Sequence, residues 1–221
     1  MSQIADIIKY EGDNSTFVWK HPCEDFNSLT QLIVHESQEA IFMMNGQALD
    51  LFGPGRYTLE TQNIPKIGKF LNRATGDTTP FHCEVYFVNK TVQMGIKWGT
   101  DSKIQYIEPT YGFPISIGAS GEMSLRAADS RKLLLKLVGT ESGLSQQQLA
   151  GYFRAFLMTR VKTYIAQVIK ADSVNIFEID EHLAAFSEAL HKLLIPDFAD
   201  YGIALDRFFV TTVVKPDGER Q

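Results

Sequence analysis

The sequence is poor in the residues that cross-link a protein, carry it across a membrane or draw it to nucleic acid. Of 221 residues only two are cysteine, Cys23 and Cys83. They can form one disulfide at most, and so low a count fits a reducing compartment better than a stapled secreted scaffold. No apolar run approaches the ~20 residues that a spanning helix needs. The densest runs, Ile41–Met44 and Leu133–Val138, are short, and Lys136 interrupts the second. Membrane contact is therefore expected to be peripheral or through a partner. Residues Met1 to Gly12 contain acids and lack the basic-then-apolar order of a signal peptide. The formal net charge is −5, which argues against nucleic acid as a partner. Neither GxxxxGK[ST] nor a helix-opening GxGxxG occurs, so no phosphate cradle is expected.

What is present is ordinary globular material. Hydrophobic residues make up 44%, enough for a sizeable core in one domain or two small lobes. Charge is uneven. From Glu178 to Gln221 there are nine acids and four bases, so this stretch carries the whole net charge and the remainder balances.

The most specific local signal is Gln38–Gly46 with Phe52-Gly53-Pro54-Gly55-Arg56-Tyr57. Asn45-Gly46 supplies two φ > 0 positions for a type I′ turn, which predicts a hairpin of Gln38–Met44 and Gln47–Phe52. Gly53-Pro54-Gly55 predicts a sharp corner into a strand at Tyr57-Thr58-Leu59. Thr16–Lys20 and Leu32–Val34 also read as strands, and residues 1–12 as a short helix or arm. Phe81–Val88 and Thr91–Trp98 look like a hairpin about Asn89-Lys90. Thr110–Ile117 and Glu122–Ala127 look like another about Gly118-Ala119-Ser120-Gly121.

The character then changes. Asp129 or Ser130 can cap a short helix ending near Val138-Gly139. Ser145 and Gln148 have capping-box spacing. Leu149, Tyr152, Phe153, Phe156, Leu157, Val161, Tyr164, Ile165 and Val168 then recur at helical period, which predicts a long helix to about Ala171. Asp180 can cap a second helix with Leu183, Phe186, Leu190, Leu193 and Leu194 on one face. Pro196 should kink it or start a new turn, and Gly202 suits its C-cap. Ile203–Val214 reads as a closing strand. The fold class expected is α+β: an antiparallel β-lobe, amphipathic helices, then a final strand.

These residues resemble the SPFH, or band-7, family of stomatins, prohibitins and flotillins. The resemblance rests on three blocks. They are Gln38-Glu39-Ala40 with Gly53-Pro54-Gly55-Arg56-Tyr57, the strand-strand-helix order around Arg126, Asp129 and Leu133, and Asp200-Tyr201-Gly202-Ile203-Ala204-Leu205 before the last strand. Residues 32–40 and Thr61-Gln62-Asn63-Ile64-Pro65 are similar to a bacterial virion-core-protein-like subgroup that includes a stress-linked protein of Bacillus-type bacteria. The resemblance implies an N-terminal arm at 1–14, an SPFH domain at 15–215 and a tail at 216–221. Within the domain, 15–128 are β-rich, 129–202 helical and 203–214 the final strand. Stomatins and prohibitins usually carry a hydrophobic N-terminal anchor, and this subgroup usually continues into a zinc ribbon of paired CxxC motifs. Neither occurs here, so the chain reads as an SPFH piece of a longer protein or a natural short form.

Chemistry has little to build on. A hydrolase needs a nucleophile, a base and an orienting group. Ser120 lacks the GxSxG setting of a nucleophile elbow, and a plain turn is the favoured reading. Cys83 is the other nucleophile, read as a small buried residue beside a surface His82. His21, Cys23, His35, His82, Cys83, His182 and His191 show no zinc-ligand spacing, so neither metal nor cofactor is expected. Trp19 and Trp98 read as packing residues rather than a ligand cage.

Surface chemistry is richer. Lys66, Lys69 and Arg73 lie beside Phe70 with no acid between Glu60 and Asp77, a pattern suited to anionic lipid headgroups. The long helix carries Arg154, Arg160, Lys162 and Lys170 with no acid, and the next carries Glu181, Glu188, Asp197 and Asp200. Arg160 lies within the apolar stripe and should find a carboxylate, unless its stem packs and its head reaches water. Arg154, Arg160, Lys162, Glu181 and Glu188 are thus candidate partner or oligomer contacts. The function implied is a non-enzymatic scaffold that self-associates or recruits membrane-stress proteins at the cytoplasmic membrane face. A hydrolase using Ser120 or Cys83, and a structural part of a longer zinc-ribbon protein, are the alternatives.

Overall fold

The structure, a computed structural model, describes residues 6–60, 63–68, 81–100, 103–108, 111–137, 143–171 and 175–214. Side chains 94, 143–150, 152–155, 157 and 158 lie outside the description. Contacts divide the chain into two units. One is Met1–Thr91 with Ala127–Gln146, the other Val92–Arg126 with Gln147–Gln221.

The first unit is organised around the hairpin read from Asn45-Gly46. Strands β5 (Gln38–Met44) and β6 (Gln47–Phe52) pair antiparallel with Met44 opposite Gln47. Asn45 and Gly46 sit at φ 53° and 73°, as a type I′ turn requires. β5 also pairs β9 (Glu84–Asn89), which pairs β2 (Thr16–Lys20), which pairs β13 (Gly143–Ser145). Smaller ladders join β1 (Ile7–Ile8), β4 (Gln31–Val34) and β7 (Gly55–Thr58), and β3 (Asp25–Phe26) with β8 (Phe81–His82). Phe26, Phe42, Leu32, Ile8 and Ala40 are fully buried in a common core. Each buried large side chain contributes about 1.5–3 kcal/mol. Two helices border this core: α1 (Pro65–Gly68) and α2 (Ser130–Leu137). Asp129 caps α2 as the sequence predicts, accepting the Lys132 N–H at 3.0 Å.

The second unit packs helices on a sheet. Its strands are β10 (Gln93–Gly99), β11 (Ile104–Ile107), β12 (Pro114–Ala127) and β14 (Ile203–Val214), and β12 pairs with each of the other three. Helix α3 spans Gln146–Ala171, a 3-10 helix Ile176–His182, and α4 Leu183–Ala199. α4 buries Phe186, Leu190, Leu194 and Phe198, while Leu193 turns outward at 37% exposure. The Ser187 hydroxyl accepts the Val210 N–H at 2.8 Å and locks α4 to β14.

Three sequence expectations are corrected: the β9–β10 hairpin, the Gly118–Gly121 turn and the Asp180 cap. β9 and β10 form no hairpin, because β9 pairs β2 and β5 whereas β10 pairs β12. Gly118–Gly121 form no turn, because β12 runs unbroken through them. The reason lies at Gly121, where a Cβ would meet the Phe209 carbonyl oxygen at 1.7 Å. Glycine serves a close backbone approach here, not a reversal. Trp98, stacked on Phe208 at 4.9 Å, seals the spot by donating its indole N–H to that same oxygen at 3.1 Å. Ser145 ends β13 and directly precedes α3, and its side chain lies outside the description. Asp180 lies inside the 3-10 helix, whose cap is Asn175, accepting the Phe177 N–H at 3.1 Å. Helix α4 continues through Pro196. Burial of Leu194 and Phe198 on either side offsets the ~3 kcal/mol that an interior proline costs. Gly202, at φ 72°, closes the turn after α4 as expected.

Candidate functional site

The lipid-contact candidates start from a buried acid that the sequence did not single out. Asp50 lies on β6 at 6% exposure. Its Oδ1 accepts the Lys66 N–H at 3.2 Å and its Oδ2 the Ile67 N–H at 2.9 Å. A carboxylate at the first turn of α1 satisfies orphan donors and suits the local dipole. Ile64 and Ile67 are buried, so the short helix is pinned from both sides and Lys66 is left exposed. Lys69, Phe70 and Arg73 lie outside the described residues. The sequence signal for Asp50 is an acid between Leu49 and Leu51 in a mostly apolar strand.

The Gln38-Glu39-Ala40 block has a physical role in the same unit. Gln38 receives the His35 N–H at 3.3 Å and donates to the Tyr10 carbonyl at 3.2 Å. Glu39 accepts the Ser130 hydroxyl of α2 at 2.5 Å, with Lys90 Nζ 3.6 Å away. Arg131 adds a bond to the Leu49 carbonyl at 3.1 Å. Together these tie β5 and β6 to the start of α2.

In the second unit opposite charges of α3 and α4 meet at Asp197. Asp197, whose side chain is 15% exposed, accepts the Tyr164 hydroxyl at 2.5 Å and lies 4.0 Å from Arg160 Nε. The hydrogen bond to Asp197 raises the Tyr164 pKa above its ordinary value. Arg160 thus finds the carboxylate expected of it while its head remains half exposed. Glu188 pairs with Lys192 of its own helix at 3.3 Å instead of reaching α3. Lys162 is half-buried, Glu181 is exposed on the 3-10 helix, and the Arg154 side chain lies outside the description.

The two candidate nucleophiles are poorly set. Cys83 is 2% exposed, and burial pushes its thiol from an ordinary 9.0 up to about 12, which opposes the reactive thiolate. His82 beside it is exposed and points at Glu24 and Asp25, 3.2 Å from each. The Ser120 backbone is held in β12, opposite Gly99 and accepting the Thr211 hydroxyl at 3.3 Å. Among the described residues, no group of three His, Cys, Asp or Glu is placed to hold a metal. No described helix is long and apolar enough to cross a membrane.

Comparison with known proteins adds one positive finding. The sequence model of the SPFH domain-Band 7 family matches residues 18–221, nearly the whole chain. No curated protein matches it.

Proposed function

Because the chain belongs to the SPFH domain-Band 7 family, a family of membrane-associated and generally non-enzymatic scaffolds, we propose that it acts as a scaffold on a membrane surface. It self-associates or gathers membrane-stress proteins at the cytoplasmic face, and it touches anionic headgroups through Lys66, Lys69 and Arg73 with Phe70 between them. The observation that supports this reading best is the seating of Lys66. A buried carboxylate and two buried isoleucines fix α1, so the cation is presented on a rigid support. Each cation held near an anionic surface contributes about 1 kcal/mol, so three give useful but salt-sensitive adhesion. Arg154, Arg160, Lys162, Glu181 and Glu188 are the candidate partner contacts, with Arg160 already engaged by Asp197.

Flotation with phosphatidylcholine vesicles, with and without an anionic lipid, tests the membrane part. Binding should require the anionic lipid and should fall when Lys66, Lys69 and Arg73 become Glu. No binding, or binding indifferent to those substitutions, would overturn it. Light scattering over a concentration series tests self-association in parallel: a constant monomer mass would remove it from the proposal.

A further inference from the structure

The second unit carries an exposed aromatic face that none of the contacts above uses. Tyr111 is 59% exposed, Phe113 43% and Phe177 42%. Tyr111 stacks on Phe113 with centroids 5.9 Å apart and meets Phe177 edge-on at 6.3 Å. Ile107, at 68% exposure, ends β11 next to them, because the Glu108 N–H is bonded to the Phe113 carbonyl at 3.0 Å. Aromatic rings gathered on a surface are the usual anchor of a protein interface, whereas scattered apolar residues need no explanation.

Charge decides what kind of partner fits. Glu108 is fully buried beneath this face. Its Oε2 accepts the Tyr111 N–H at 2.6 Å, which fixes the loop that presents the ring. Among the described residues its Oε1 has no hydrogen-bond partner, and neither has the nearby buried Tyr106 hydroxyl. Burial and then the neighbouring Glu108 raise the Tyr106 pKa, so that hydroxyl keeps its proton. Phe177 stands on the 3-10 helix just ahead of exposed acids, Glu178 following it directly and Asp180 and Glu181 beyond. A buried acid whose Oε1 is unpartnered among the described residues, exposed acids beside the rings and the negative ring faces all favour a cation.

We propose that the Tyr111–Phe113–Phe177 face and its acid rim bind a partner segment that alternates large apolar and cationic side chains. The apolar side chains would pack on the rings and Ile107. Lys or Arg side chains would lie over ring faces and against Glu178 and Glu181. The segment supplies the countercharge that the described residues do not place there. The inference rests on the scaffold reading only for its purpose, since it names a recruitment surface in the second unit and uses none of the lipid-contact residues.

The test is fluorescence anisotropy at physiological ionic strength with a labelled peptide alternating leucine and arginine. Two control peptides replace every arginine by glutamate or every leucine by serine. The leucine–arginine peptide should bind and both controls should bind about tenfold more weakly or not at all. Tyr111→Ser with Phe177→Ser should weaken binding at least about tenfold, and Glu178→Lys with Glu181→Lys comparably. Glu108→Gln keeps an acceptor for the Tyr111 N–H and should weaken binding by a smaller factor. Glu122→Lys, an exposed acid far along β12 from Pro114, should leave it unchanged. All but Glu108 are exposed positions, so melting curves of those variants should stay close to the parent. Absence of binding, equal binding of the serine control, or indifference to the aromatic pair would overturn the proposal. Vesicle flotation of the same variants separates this outcome from failure of the scaffold reading, because it should be unchanged by all of them.

Discussion

Each unit buries a carboxylate, and the two are treated differently. Asp50 in the first unit has both oxygens on backbone N–H groups, Lys66 and Ile67. Glu108 in the second has one oxygen on Tyr111 and the other on nothing among the described residues. A satisfied buried acid is structural, and here it pins a cation-bearing turn. A half-satisfied one leaves about 1–3 kcal/mol of desolvation uncompensated, which an arriving donor can recover. The glycines divide the same way. Gly46 turns a chain in open space at φ 73°, whereas Gly121 lets a carbonyl of β14 touch β12.

The glycine contrast gives the largest expected effect. Gly121→Ala places a Cβ against backbone that cannot rotate away, so the strands must separate and the indole bond of Trp98 is lost with them. We expect a loss of at least about 3 kcal/mol, or failure to fold, in urea denaturation. Gly46→Ala meets nothing within 4 Å and faces only the left-handed backbone, so about 1–2 kcal/mol is expected. Equal losses at the two positions would remove the distinction.

Asp50→Ala should come next. It strips two backbone donors of their acceptor and should cost about 2–3 kcal/mol. Amide exchange at Lys66 and Ile67 should quicken more than across β5. Uniform quickening would mean that Asp50 supports the whole unit and not the turn.

The buried thiol yields a pH dependence. Cys83 has a folded pKa of about 12 against an ordinary 9.0, so above the lower value the unfolded chain sheds a proton that the folded chain keeps. Stability should therefore be undiminished below about pH 9 and fall as pH rises towards about 12. Tyr86, raised by burial from 10.0 to about 12, adds to the same slope. Cys83→Ser should shallow it, and an unchanged slope would assign it to Tyr86 and other groups. In native protein a thiol reagent should reach Cys23, which is half-buried, well before Cys83. The smallest effects belong to the helices. Tyr164→Phe should cost about 1 kcal/mol, and Glu188→Ala, in an exposed pair with Lys192, about 0–0.5 kcal/mol.

The same contrast explains what was legible. The β5–β6 hairpin, the capping of α2 by Asp129 and the β14 strand were readable because each is decided by neighbours in sequence. The length of α3 was readable from its apolar period, and so was the need of Arg160 for a carboxylate. The partners of β9 and β10 were not, because both lie far off in the chain and Asn89-Lys90 imitates a turn. Gly118–Gly121 misled for the same reason: turn glycine and close-approach glycine look alike until the facing strand is known. Asp50 was silent, since nothing local marks an acid whose donors lie 16 and 17 residues away. The aromatic face was silent too, because Tyr111 and Phe177 join only through the fold.

The central proposal is that Lys66, Lys69 and Arg73 carry the membrane contact and the acids beside Phe177 do not. One flotation experiment on anionic vesicles tests it, comparing Lys66→Glu, Lys69→Glu and Arg73→Glu combined against Glu178→Lys and Glu181→Lys combined. The account expects the first variant to stay with the unbound protein and the second to float like the parent. Equal flotation of all three proteins, or loss confined to the second variant, would contradict it.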